Sequence, residues 1–162
     1  MTTRTLLLMR HGKASQDRPV ADHDRPLTDR GIRDALSMGE WIVRQRLQPD
    51  RIICSTALRA YETAVQVATA CAYRQPIETH ASLYLAPPAA YLAVLRALPD
   101  NPPTVLIVGH NPGITELVCR LSDEDQEMPT SALAHFSWSI KDWSELDGGI
   151  VKLKSFQTAN RN

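Results

Sequence analysis

The sequence contains few cysteines, and they are not arranged in pairs. Cys54, Cys71 and Cys119 are the three cysteines among 162 residues, and no C-x-x-C motif occurs. An odd and widely spaced set argues against a disulfide framework or a zinc cluster, and it favours buried thiols that act as small apolar side chains. We therefore expect free cysteines in a reducing, cytoplasmic compartment.

The sequence also lacks long apolar runs and any excess of charge. Its longest apolar run near the N-terminus, LLLM, is far too short for a signal peptide or a membrane-spanning helix. The 18 Lys and Arg residues balance the 18 Asp and Glu residues, so no overall field attracts nucleic acid or an anionic membrane. We expect neither as a partner, and any binding of anions must come from a local cluster of basic residues.

The composition that remains is typical of a globular protein, with 43% hydrophobic and 22% charged residues. A chain of 162 residues can bury a core of its own, and no internal repeat or linker divides it. We therefore predict one domain over residues 1–162, in which we expect the last residues, 158–162, to be frayed.

Short apolar runs alternate with helical periodicity over the first two thirds of the chain. Buried strands are predicted at 5–9, 51–54 and 104–108, with a weaker one within 76–83. Helices are predicted to start at Thr28 and Ser55 as N-caps, at the prolines Pro87 and Pro88, and at Asn111 as N-cap with Pro112 as first residue. On the helix after Ser55, the periodicity predicts an apolar face made of Leu58, Tyr61, Ala64, Val65, Ala68 and Cys71.

The last third of the chain has a different pattern. After a polar loop at 122–131, residues 134–140 and 150–156 alternate apolar and polar side chains, which is typical of strands covered on one face. Strand–helix alternation followed by two such strands predicts an α/β fold, namely a three-layer α/β/α sandwich around a mostly parallel mixed sheet.

Polar side chains follow the predicted parallel strands at the points where these strands end. Arg10 and His11 follow the first strand, Arg59 lies one turn into the helix after the second, and His110 follows the strand at 104–108. Because the carboxyl ends of parallel strands meet at one edge of a sheet, we expect these side chains to line one crevice. Guanidinium groups and free backbone N–H groups are the donors that bind a dianion, so the pattern predicts a phosphate site.

The residues at these strand ends carry a family resemblance. The segments LMRHGKAS, CSTALRAYETA and VGHNPG, in this order, resemble the histidine phosphatase superfamily, which has the phosphoglycerate-mutase-like fold. The segment DHDRPLTDRG resembles the SixA-like branch of phosphohistidine phosphatases. The resemblance covers nearly the whole chain.

The resemblance implies a role for each matching residue. His11 is expected to be the nucleophile that becomes transiently phosphorylated, and Arg10, Arg59 and His110 are expected to bind the phosphoryl oxygens. His110 should donate best if it is protonated. Neither a metal nor a cofactor is implied. Arg25 matches a position near the site and has either a binding or a structural role, and the role of Lys13 is open.

The sequence departs from the family pattern at the proton donor. Many relatives that hydrolyse phosphate esters carry a glutamate before the helix after the third strand, whereas this region reads ASLYLAPPAAY and has no carboxylate. Asp22 and Asp24 are possible proton donors elsewhere in the chain, although a loop aspartate paired with Arg25 is the simpler interpretation.

The function implied by the resemblance is removal of a phosphoryl group from phosphohistidine of a protein, as in signal transduction. The chain has little beyond one strand and one helix between residues 72 and 104, so we expect no large lid and a crevice open to a protein substrate. The alternatives are a phosphomonoesterase for a small metabolite and a phosphate-binding regulatory module without turnover.

Overall fold

A six-stranded sheet forms the centre of the structure, a computed structural model that describes residues 2–159. Its strands are β1 (Thr3–Arg10), β2 (Arg51–Ser55), β3 (Glu78–His80), β4 (Thr104–Gly109), β5 (Leu133–Ser139) and β6 (Leu153–Gln157). The order across the sheet is β3-β2-β4-β1-β5-β6. The strands β3, β2, β4 and β1 are parallel, β5 pairs antiparallel with β1, and β6 pairs antiparallel with β5. The predicted mostly parallel mixed sheet is therefore confirmed. The predicted fraying falls mainly on residues 160–162, which lie outside the described range.

Helices cover both faces of this sheet. Within residues 2–159 they are α1 (Asp29–Arg44), α2 (Leu58–Ala70), α3 (Pro88–Arg96) and α4 (Gly113–Ser122). Alternate side chains of β1 divide between two cores: Leu6 and Leu8 pack on the side of α3 and α4, and Leu7 and Met9 pack on the side of α1 and α2. The three-layer prediction is thus confirmed. No helix in this range is long and apolar enough to cross a bilayer, and the three cysteines are free, as predicted.

The helix starts agree with the sequence at α1 and differ at α2 and α4. The Thr28 hydroxyl accepts the Gly31 N–H at 3.0 Å, so Thr28 is the predicted cap. Ser55 is not a cap, because it is the last residue of β2 and α2 begins at Leu58. Likewise α4 begins at Gly113, after the Asn111–Pro112 pair. The side chains predicted as caps make other contacts: the Ser55 hydroxyl contacts His110 after β4, and the Asn111 amide donates to the Met128 carbonyl.

The predicted apolar face of α2 is right at Ala64, which is buried, and at Ala68 and Cys71, which pack against the core, but it is wrong at its start. Leu58 and Tyr61 are 37% and 41% exposed, whereas Arg59 and Thr63 are buried. These two polar side chains point inward, because Thr63 accepts the Gly12 N–H at 3.0 Å and Arg59 reaches the end of β1. A hydrophobic pattern cannot show this, since it assumes that the interior is apolar.

Candidate active site

Four of the predicted site residues converge at the carboxyl edge of the sheet. Arg10 ends β1, His11 follows it, Arg59 lies in the first turn of α2, and His110 follows β4. The ring centroids of His11 and His110 are 5.1 Å apart, and Arg59 Nε is 3.4 Å from His11 Nε2. These residues line a cavity of about 310 Å³ together with Lys13, Ala14, Gln16, Asp22, Arg25, Leu85, Asn111 and Thr130.

His11 is held as a neutral imidazole whose unprotonated Nε2 accepts a hydrogen bond from Arg59 Nε at 3.4 Å. Its Nδ1 lies 2.7 Å from the Gly12 carbonyl, which can only accept, so the ring proton is on Nδ1. His11 is 7% exposed, and burial lowers its pKa to about 3, with nearby His110, Arg59 and Arg10 acting in the same direction. Burial is the largest of these causes. The result is a nucleophile that needs no deprotonation.

The backbone at Gly12 allows this arrangement. A Cβ atom there would lie 2.9 Å from the Gly31 carbonyl oxygen in the first turn of α1, which is closer than real Cβ atoms approach backbone. A side chain at position 12 would therefore push β1 away from α1 and move the carbonyl that orients His11.

His110 is also neutral, which corrects the expectation that it acts in its protonated form. It is 1% exposed, and burial lowers its pKa to about 4, with Arg59 and Arg10 adding to the effect. A neutral imidazole carries one ring proton, so the partner of Nε2 determines which nitrogen is the donor. His110 can donate to a bound oxygen only if that proton lies on the nitrogen that faces it.

Ser55 determines the position of this proton. Its hydroxyl oxygen lies 2.6 Å from His110 Nε2 and accepts the Ala57 N–H at 3.1 Å. We assign the ring proton of His110 to Nδ1, the tautomer in which the Ser55 hydroxyl accepts from Ala57 and donates to Nε2. Nδ1 is buried without a hydrogen-bond partner among residues 2–159, so in this tautomer its N–H has no acceptor in that part of the protein.

Arg59 links the nucleophile to a neighbouring turn. It is 2% exposed, and its Nη1 and Nη2 donate to the backbone oxygen and to Oδ2 of Asp22, at 2.7 and 3.0 Å. Its Nε faces His11 Nε2. Three nitrogens in one rigid plane thus fix where the positive charge lies relative to the nucleophile.

Arg10 is anchored by the loop that precedes β5. Its Nη1 donates to the Met128 carbonyl at 3.2 Å, and Asn111 Nδ2 donates to the same oxygen at 3.0 Å. The Ser131 N–H lies 3.2 and 3.1 Å from the carbonyls of Arg10 and His11. The polar loop predicted at 122–131 is therefore a wall of the cavity.

This geometry can be compared with known proteins. The family profile of the histidine phosphatase superfamily (branch 1) matches residues 6–84. A solved structure from Nakamurella multipartitia, described as a candidate phosphohistidine phosphatase SixA, is 32% identical, covers 98% of each chain and has a TM-score of 0.81. The chain belongs to the histidine phosphatase superfamily.

Other relatives place it among the SixA-like members. The phosphohistidine phosphatase SixA of Escherichia coli (strain K12) is 29% identical over 135 residues, which is 80% of this chain and 82% of that protein. A structure of the protein histidine phosphatase SixA complexed with tungstate is 26% identical, covers 96% of this chain and 97% of that one, and has a TM-score of 0.81. Membership of this superfamily supports a phosphatase activity.

Asp22 does not have the protonation state of a proton donor. Its carboxylate accepts hydrogen bonds from Tyr84, Arg59 and Arg25. The Tyr84 hydrogen bond and then the two arginines lower the pKa of Asp22 to about 2, against burial. Asp22 is therefore ionised at neutral pH. Asp24 is 69% exposed, lies 3.8 Å from His23 and does not line the cavity.

Arg25 and Lys13 lie at the rim of the histidine phosphatase site. Arg25 donates from Nε to Asp22 at 3.1 Å and from Nη1 to the Ser15 carbonyl at 3.1 Å, so it braces the loop and also faces the cavity. The Lys13 carbonyl accepts the Thr28 N–H at 2.9 Å, and its side chain lines the cavity.

The sequence did not identify Tyr84 as a site residue. Its ring packs edge-on against His110 and His23, with centroids 5.5 and 4.9 Å apart, and its hydroxyl donates to Asp22. Tyr84 belongs to the segment ASLYLAPPAAY, in which the sequence pattern draws attention only to the missing glutamate. Within residues 2–159, no group of three or more His, Cys, Asp or Glu side chains could hold a metal ion.

We expect the imidazoles of His11 and His110 to remain neutral between about pH 8 and pH 5, because burial holds their pKa values at about 3 and about 4. Long-range ¹H–¹⁵N spectra of histidine-labelled protein should show Nδ1–H tautomers for both rings. Once unfolded, both rings protonate near pH 6.5, so the free energy of unfolding should fall as the pH drops below that value. A titration midpoint near 6.5 for either ring in the folded protein would contradict the assignment.

Proposed function

We propose that this protein is a phosphohistidine phosphatase that acts on a phosphorylated protein through a phosphohistidine intermediate on His11. The observation that carries the proposal is the neutral His11, whose unprotonated Nε2 lies in a cavity lined by Arg10, Arg59 and His110. The name of the Escherichia coli relative supports the same substrate class.

The first step transfers the phosphoryl group to the enzyme. His11 Nε2 forms a bond to phosphorus while the bond from phosphorus to the substrate nitrogen breaks, and its electron pair stays on the leaving imidazole. Arg10 and Arg59 bind non-bridging oxygens, and His110 adds its Nδ1–H. These donors are fixed before the reaction by the Met128 carbonyl, Asp22 and Ser55, so they need little reorganisation.

The second step releases phosphate. Water attacks phosphorus, the bond to His11 Nε2 breaks, and the lone pair returns to Nε2 while the water proton passes to solvent or phosphate. Tungstate is a tetrahedral oxyanion like phosphate, and it occupies the related SixA structure, which supports anion binding by this type of site. Trapping ³²P-labelled enzyme and mapping the labelled residue tests the proposed intermediate.

The surroundings of the cavity favour a large substrate. Leu85 lines the cavity and is 54% exposed, so its mouth lies open to solvent. A second groove of about 510 Å³, lined by residues 13–18 and 26–29, adjoins it and shares Lys13, Ala14 and Gln16. Together they offer an extended surface around the phosphorus position, as a phosphorylated protein side chain requires.

We expect the enzyme to prefer phosphoramidates over alkyl phosphate esters, because ASLYLAPPAAY lacks a carboxylate and Asp22 is ionised. An alkoxide leaving group is about as basic as hydroxide, with a conjugate-acid pKa of roughly 16, and needs a positioned acid. Such an acid raises the rate roughly 10²–10⁴-fold. A phosphohistidine ring that solvent has protonated on its other nitrogen leaves as neutral imidazole, with a conjugate-acid pKa of about 6.5, and does not need a positioned acid.

The comparison is kcat/KM on a phosphohistidine protein against a sugar phosphate and a simple alkyl phosphate. Equal or faster hydrolysis of the alkyl esters would contradict the proposal and move the function to metabolite hydrolysis. Binding of phosphate with no hydrolysis of any of these substrates would indicate a regulatory module instead.

We expect activity to survive a strong chelator. Two arginines and a neutral histidine donor supply the positive charge and the hydrogen bonds that a metal ion provides in other phosphatases. The measurement is turnover before and after dialysis against EDTA, with the metal content determined in parallel. Loss of activity that Mg²⁺ or Zn²⁺ restores would overturn this mechanism.

A further inference from the structure

The ionised carboxylate of Asp22 lies beside the phosphoryl site, where it is not needed as an acid. One guanidinium separates it from the nucleophile: Arg59 Nε is 3.4 Å from His11 Nε2, and Nη2 is 3.0 Å from Asp22 Oδ2. The Asp22 side chain is 49% exposed and lines the cavity, so part of its acceptor capacity faces an incoming substrate. A negative charge at this position opposes binding of a phosphate dianion, and it therefore calls for an explanation.

The leaving group of a phosphohistidine provides one. If its ring is neutral, breaking the bond to phosphorus releases an imidazolide anion, which is a poor leaving group. If the nitrogen that does not carry phosphorus is protonated, the ring leaves as neutral imidazole. A carboxylate that accepts a hydrogen bond from this ring N–H stabilises the protonated form, because opposite charges favour ionisation.

We propose that Asp22 accepts a hydrogen bond from the leaving imidazole, at the ring nitrogen that does not carry phosphorus. The inference rests on the proposed function. The ring proton comes from solvent before phosphoryl transfer and stays on the leaving imidazole. The electron pair of the broken bond goes to the ring nitrogen that held phosphorus. Asp22 remains ionised throughout, so its role is the opposite of the proton donor suggested by the sequence.

The contacts around Asp22 hold it in the form that this role requires. Tyr84 donates to Oδ2 and Arg25 donates to Oδ1, so the carboxylate is both oriented and kept ionised. Tyr84 itself packs edge-on against His110 and His23, so the donor that orients Asp22 is held in place. An aliphatic alkoxide has no ring N–H to donate to this carboxylate.

The two half-reactions separate this role from simple support of Arg59. Phosphorylation of His11 involves the substrate imidazole, whereas hydrolysis of phosphorylated His11 does not, and Arg59 acts in both. With ³²P-labelled phosphohistidine protein and excess enzyme, Asp22→Asn should slow the labelling of His11 at least about tenfold, the effect of one lost charged hydrogen bond. The decay of the labelled enzyme should change less than about threefold.

The matched control is Asp24→Asn, which removes the same charge from the same turn at a side chain that does not line the cavity. It should match the wild type in both steps. Thermal unfolding and tungstate inhibition check that Asp22→Asn keeps the fold and the anion site. Equal slowing of both half-reactions would overturn the inference and leave Asp22 as a support for Arg59. A wild-type enzyme that cannot dephosphorylate the protein would overturn the proposed function as well.

Discussion

His11→Ala should reduce turnover by about 10⁴-fold or more, the scale seen when a covalent nucleophile is removed. Phosphate and tungstate should still bind, because Arg10 and Arg59 are anchored by Met128 and Asp22 rather than by His11 alone. The measurements are kcat on a phosphohistidine protein, ³²P labelling of the enzyme, and tungstate affinity by calorimetry.

His80→Ala provides the matched control, because His80 ends β3 and does not line the cavity. It should label and turn over like the wild type. Undiminished hydrolysis by His11→Ala, or label that persists in it, would remove His11 from the role of nucleophile. If His11→Ala lost both tungstate binding and turnover, His11 would also be required for the structure of the anion site.

Arg59→Ala should lower kcat/KM by at least about 10²–10³, the range for loss of one preorganised donor to a developing anion. The buried guanidinium makes three contacts at once, to His11 and to two oxygens of Asp22. Arg59→Lys should recover little of the loss, because an ammonium group is a point charge and lacks the planar geometry that makes the three contacts at once.

The control for charge is Arg44→Ala, at the exposed C-terminal end of α1. It should stay close to the wild type in kcat/KM and in tungstate affinity. If Arg59→Ala were within about threefold of the wild type, the guanidinium would not contribute to the transition state as expected from a site of this type.

Features that depend on nearby residues could be predicted from the sequence. The apolar runs of β1, β2 and β4 are short and bounded by polar residues, so both the strands and the parallel sheet followed from periodicity. The convergence of Arg10, His11 and His110 followed from the same step, because residues after parallel strands share an edge.

Features that depend on distant residues could not be predicted. Serine commonly caps helices, so the sequence pattern predicts Ser55 as an N-cap. Its contact with His110 Nε2 exists only because β4 lies beside β2, which the local sequence does not show. The ionised state of Asp22 depends on Tyr84, which is far along the chain. The inward orientation of Arg59 reverses the hydrophobic pattern, since a buried site replaces apolar packing with polar contacts.

The position of β1 in the middle of the sheet also affects how the protein can be made. The ribosome releases this strand well before both of its neighbours, β4 and β5, which come much later in the chain. The Arg10 and His11 N–H groups bond to the Ala132 and Gly109 carbonyls, so neither residue is fixed until those segments have emerged. Pairings between such distant segments form slowly, and a nascent chain exposes β1 as an unpaired apolar strand in the meantime. The segment that carries His11 therefore waits for segments translated much later, and a chain terminated before β4 would contain the nucleophile without the active site.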